Sequence, residues 1–178
     1  MSYDVVLLVE KALTAADARQ VRTLHEGIDD DEVVYHVLLP LEDAAARIES
    51  AMGSLAAGEV ISSPAMVMSD VDIDAVRRDC KDRSDHDLGI CVEALEAAGA
   101  KVHGKVVTEP PVEALARCVA AVDGREAIIL TRSHVVAEFF HVDWTSRARR
   151  KIGVPVLHLL EHENFDEQAG GGEGVTGF

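Results

Sequence analysis

The stretch Asp4-Val5-Val6-Leu7-Leu8-Val9-Glu10 sets five consecutive apolar residues between two acids. Such a run is too short for a helix and rich in valine, so it predicts a strand buried on both faces. A strand of that kind needs helices above and below it, which makes the fold class α/β. The signature returns at Val33 to Leu39, closed by Pro40, at Ala127 to Leu130, and at Val156 to Leu160 after Gly153-Val154-Pro155. Lys101 to Glu109 instead alternates Val102, Gly104 and Val106 with polar neighbours, which predicts a strand nearer the sheet edge.

The segments between these runs read as helices. Thr14 is placed as an N-cap, followed by Ala18, Val21, Leu24 and Ile28 at helical spacing and by Gly27 as a stop before Asp29-Asp30-Asp31. Glu42 to Ala57 is Ala-rich and interrupted by Gly53, and Gly58 to Ser69 is a break. Asp72 to Ala98 reads as one long helix closed by Gly99, with a charged stretch from Lys81 to Asp87 expected to kink, bulge or project into solvent. Pro110-Pro111 opens another helix whose inward stripe is Val112, Leu115, Val119 and Val122, stopped by Asp123-Gly124. Thr145 to Ile152 is expected as a short helix.

Strands alternating with helices imply right-handed crossovers and a parallel sheet. The expected architecture is therefore a three-layer open parallel five-stranded sheet with helices on both faces, one domain over residues 1–162. Residues 163–178 are acidic and glycine-rich with no apolar period, and are expected to form a disordered tail.

Composition agrees with this reading. Of 178 residues 48% are hydrophobic but only 4% aromatic, so the core must be packed from Val, Leu, Ile and Ala. The formal charge of -15 is spread along the chain, which disfavours broad binding to nucleic acid or to an anionic membrane surface. Cys80, Cys91 and Cys118 form no CxxC pair, and no basic leader or membrane-length apolar run is present. A reducing, cytoplasmic setting is expected.

Three local features carry a resemblance. The first strand ends in Val9-Glu10, a helix starts after Glu109-Pro110, and the last strand follows Gly153-Val154-Pro155-Val156-Leu157. In this order and spacing the chain resembles the universal stress protein family, of adenine nucleotide alpha hydrolase-like fold, over roughly residues 3–162. ATP-binding members of that family carry G-x2-G-x9-G-[S/T] after the fourth strand, where glycine leaves room for phosphates and permits positive φ. The matching stretch here, Thr131-Arg132-Ser133 through Thr145-Ser146, contains no glycine. Val135, Val136, Phe139 and Phe140 stand there instead, either as core packing of a long loop or as an apolar plug or partner surface.

The resemblance implies a ligand site at Glu10, Thr131, Arg132, Ser133, Thr145 and Ser146. Glu10 would face a nucleotide's base or ribose, and the Thr145-Ser146 helix start would hold an anion through free NH groups and hydroxyls. ATP or another adenine nucleotide is the implied ligand. A solvent-exposed or helix-capping acid is the competing reading of Glu10. Arg147, Arg149, Arg150 and Lys151 reverse the local sign of charge, either steering an anion or pairing with acidic neighbours.

Other constellations read as structural. His134, His141, His158 and His162 match no tight metal-ligand spacing, and Asp85-His86-Asp87 lies in the charged run of the long helix. No nucleophile elbow, Walker loop or Cys-His signature occurs. The expected function is regulatory or stress-related binding rather than turnover, by a protein that does not hold ATP in the family's usual manner. A homodimer through the last strand is expected, with Val156, Leu157, Leu159 and Leu160 as its apolar edge. The rivals are a nucleotide-dependent enzyme of the same wider group and a scaffold whose residues 58–98 meet a protein partner.

Overall fold

A computed structural model describes residues 2–28, 32–41, 73–131 and 150–160. Within them lie five strands and three helices of eight or more residues: β1 (Ser2–Val9), α1 (Ala15–Thr23), β2 (Glu32–Pro40), α2 (Ile73–Ala97), β3 (Lys101–Val107), α3 (Pro111–Val122), β4 (Glu126–Thr131) and β5 (Val156–Leu160). The strands form one sheet in the order β3-β2-β1-β4-β5. Every pairing is parallel.

The five apolar residues of β1 explain its central place. Val5, Val6, Leu7 and Val9 are fully buried and Leu8 nearly so. Alternation sends Val5, Leu7 and Val9 to one face, where Ala18 and Val21 of α1 and Cys91 and Leu95 of α2 cover them. Val6 and Leu8 face the other way, against Ala114, Leu115 and Val119 of α3 and against Ile152. The result is the expected three-layer α/β architecture. At roughly 1.5–3 kcal/mol for each large aliphatic side chain, these two half-cores dominate the stability.

Local chemistry sets most of the element ends. The Thr14 hydroxyl accepts from the Asp17 amide at 3.2 Å while the Thr14 amide donates to the Asp17 carboxylate at 3.0 Å, a reciprocal capping box. Pro111 occupies the first turn of α3, and Asp123 closes that helix in the left-handed region at φ 53°. The first helix departs from the sequence reading: it stops at Thr23, and Leu24 to Gly27 form turns, with Gly27 at φ 105°. His25 is the reason, because its buried ring turns back toward the sheet. Nδ1 lies 2.7 Å from the Tyr35 hydroxyl and 3.1 Å from the Val21 carbonyl, and Nε2 meets the Glu126 carboxylate. This cluster fastens the end of α1 to β2 and β4 at the amino end of the sheet, and burial pushes the Tyr35 phenol up to about 12.

The charged run of α2 neither kinks nor breaks the helix. Asp79 pairs with Arg83 at 3.1 Å and Lys81 with Asp85 at 2.5 Å, each four residues apart, so neighbouring turns neutralise one another. As read from its alternation, β3 is an edge strand, and Lys101, His103 and Lys105 are exposed on it. Several readings lie outside the described residues: the helix at 42–57, the break at 58–69, the glycine-free loop beyond Thr131 and the tail at 163–178.

Gly104 marks where α2 sits closest to the sheet. A Cβ there would stand 2.9 Å from Val92 Cγ2 and 3.0 Å from Leu88 Cδ1. Gly104→Val is therefore expected to destabilise the fold by about 1–3 kcal/mol, measured by chemical denaturation, with Gly104→Ala costing less. An unchanged midpoint for both would show that α2 does not seat against β3.

Candidate functional site

The strand order reverses direction at β1. β2 and β3 follow on one side of it, β4 and β5 on the other. In open parallel sheets the helices diverge at such a point, leaving a crevice at the carboxyl ends of the two central strands. The switch point here lies between β1 and β4.

Two of the sequence-predicted residues meet at that place. Val9 pairs with Leu130, so the next register step sets Glu10 beside Thr131. The Glu10 amide donates to the Leu130 carbonyl at 3.2 Å, which holds the chain in line with β4 one residue beyond the end of β1. Both residues are half-buried, neither sealed in the core nor fully in solvent. Arg132, Ser133, Thr145 and Ser146 lie outside the described residues.

A third side chain joins them that the sequence reading weighed only as a metal ligand and took as structural. His158 of β5 lies with its Nε2 2.8 Å from the Thr131 hydroxyl. Ile129 pairs with His158 in register, and Ile129 packs with Leu8 and partly buried Val156 in the half-core under α3. Alternation thus carries Glu10, Thr131 and His158 to the same face of three adjacent strands, Glu10 and Thr131 at the carboxyl ends and His158 at the middle of β5. The signal was present in the sequence as the lone polar residue in Val156 to Leu160, but only the β4–β5 register pairs it with Thr131. Burial pushes the His158 imidazole below its ordinary range.

This row supplies a carboxylate, a hydroxyl and a half-buried imidazole. Such a set can hold a ligand's hydroxyl or amino groups by hydrogen bonds, and it carries no fixed positive charge of its own. Among the described residues no group of three or more His, Cys, Asp or Glu side chains could hold a metal ion. No described helix is long and apolar enough to cross a membrane. Of the basic run, Lys151 pairs with Glu113 at 3.1 Å, the acidic-neighbour reading of that residue.

Elsewhere the polar groups are structural. Asp4 of β1 meets His36 of β2 at 2.7 Å near the amino end. Burial opposes its ionisation, but hydrogen bonds from Ser2 and His36 outweigh that and hold the carboxyl below its usual range. The Asp85-His86-Asp87 stretch lies on the solvated side of α2 with Asp85 already paired to Lys81.

No family model matches the sequence. No curated protein matches it either. Solved structures do match the fold. A universal stress protein from Archaeoglobus fulgidus is 13% identical, with 89% of this chain and 94% of that one covered at a TM-score of 0.51. The hypothetical protein MJ0577, whose biochemical function was assigned from its structure, is 12% identical, with 92% and 100% covered at a TM-score of 0.56. A universal stress protein family protein from Arabidopsis thaliana, solved with AMP bound, is 15% identical, with 92% and 94% covered at a TM-score of 0.50. The chain has the fold of the universal stress proteins, and the resemblance read from its sequence holds at that level.

Because the His158 pKa is depressed in the fold, the native state binds fewer protons than the unfolded chain. Stability from this group is full above the unfolded value of about 6.5 and is lost as pH falls through the folded one. Denaturation between about pH 7 and about pH 5 is expected to show a shallower pH slope for His158→Gln than for the wild type. Equal slopes would contradict the burial of this ring.

Proposed function

We propose that this chain is a cytoplasmic, regulatory or stress-related binding protein whose ligand is an adenine nucleotide, taken up without turnover at the carboxyl ends of β1 and β4. The observation that carries the reading is the juxtaposition of Glu10 and Thr131 at the point where strand order reverses. The AMP held by the Arabidopsis relative of the same fold supplies the ligand class. Arg132, Ser133, Thr145 and Ser146 complete the proposed site on the sequence resemblance. We read the row as a binding surface: its carboxylate, hydroxyl and imidazole make hydrogen bonds to a ligand.

The two sheet edges differ, and this supports a homodimer through β5. The β3 edge presents Lys101 and Lys105, charges that discourage pairing with another chain. On the β5 edge Leu157 is only half-buried, between Val156 and His158.

Thermal unfolding with AMP, ADP, ATP and cyclic AMP tests the ligand. At a hundredfold excess over Kd, linkage stabilises a protein by about 2.7 kcal/mol. For a domain of this size that raises Tm by roughly 5–10 °C. Glu10→Ala and Thr131→Val are each expected to reduce the shift, while no shift with any nucleotide would overturn the reading. Light scattering after size exclusion at micromolar concentration is expected to give twice the 19.1 kDa chain mass. A strict monomer would overturn the dimer.

A further inference from the structure

We infer that His158 is a positioning residue of the strand-end site, holding the Thr131 hydroxyl so that the row takes the uncharged nucleoside part of its ligand. The inference rests on the nucleotide reading and deepens it. The hydrogen bond of 2.8 Å joins the end of β4 to the middle of β5, the next strand in the sheet. A free threonine hydroxyl samples several rotamers, and fixing one of them only on ligand binding would cost affinity. The imidazole fixes it beforehand, because the register of β5 on β4 sets His158 beside Ile129, two residues before Thr131 on the same face. Glu10 stands on the other side of Thr131, one register step along.

The chemistry of the row selects the part of the ligand it meets. Glu10 is an acid that repels phosphate, and the Thr131 hydroxyl carries no charge. Half-burial disfavours a charged imidazole at His158. Ribose hydroxyls and base amino groups match Glu10 and Thr131 as partners, whereas a phosphate finds no cation in the row. A substitution at His158 should therefore weaken a nucleoside and its phosphate by the same factor.

Titration calorimetry of the full chain with AMP and with adenosine, joined to nitrogen-15 NMR of the histidine rings, tests this. His158→Phe is expected to weaken both ligands about tenfold, the effect of losing one net hydrogen bond. His158→Gln, which keeps a group able to bond Thr131, should recover most of that loss. The double variant Thr131→Val/His158→Phe should bind no more weakly than the weaker single variant, because both changes remove one interaction. Should His158→Phe fail to fold, Thr131→Val carries the test: AMP moves the His158 ring resonances in the wild type and leaves them in place in that variant.

Wild-type binding of AMP with unchanged affinity in His158→Phe and Thr131→Val overturns the positioning role and leaves the nucleotide reading standing. A loss seen with AMP but absent with adenosine overturns it too, since the row would then be meeting the phosphate. A wild-type chain that binds neither ligand overturns both.

Discussion

The burial of β1 on both faces is the constraint on which the rest of the structure depends. Five apolar residues in a row admit no solvent-facing side, so helices must lie above and below and strands must flank both edges. β2 takes one edge and β4 the other, and the chain reverses its direction of winding between them. A crevice at the carboxyl end of β1 is the geometric remainder of that arrangement. Glu10 is the first polar residue to emerge from the buried strand, and it emerges into that place.

The two ends of the sheet are built differently. At the amino end, His25, Tyr35 and Glu126 interlock beneath α1, with the ring of Tyr3 6.0 Å from that of His25, and Asp4 ties to His36 across β1 and β2. These contacts satisfy buried polar groups with one another and leave them nothing to offer a ligand. Toward the carboxyl end, Glu10, Thr131 and His158 stand half-buried on successive strands, with Thr131 and His158 2.8 Å apart.

How far the sequence disclosed this depends on the range of the interaction concerned. Strands and helices were legible because they follow from residue order: valine-rich runs, Pro111 at a first turn, Thr14 three residues before Asp17. The edge position of β3 was legible because only one of its faces is apolar, and Gly104 within it turned out to mark the close seat of α2. The end of α1 was misplaced by four residues' worth of turn because His25 reads as a surface residue until Tyr35 and Glu126 are brought to it across the fold. His158 escaped for the same reason. Its partner lies 27 positions away, and only the β4–β5 register makes them neighbours. Glu10 and Thr131 were legible together only because the resemblance marked both strand ends.

A backbone amide NMR titration with AMP measures the location of binding directly, independent of any variant. Saturable shifts at Glu10, Lys11, Thr131 and His158, with His25 and Glu126 unmoved, are the pattern expected of a ligand at the carboxyl ends of β1 and β4. Shifts confined to the amino end of the sheet, or none at saturating nucleotide, would contradict a binding site there.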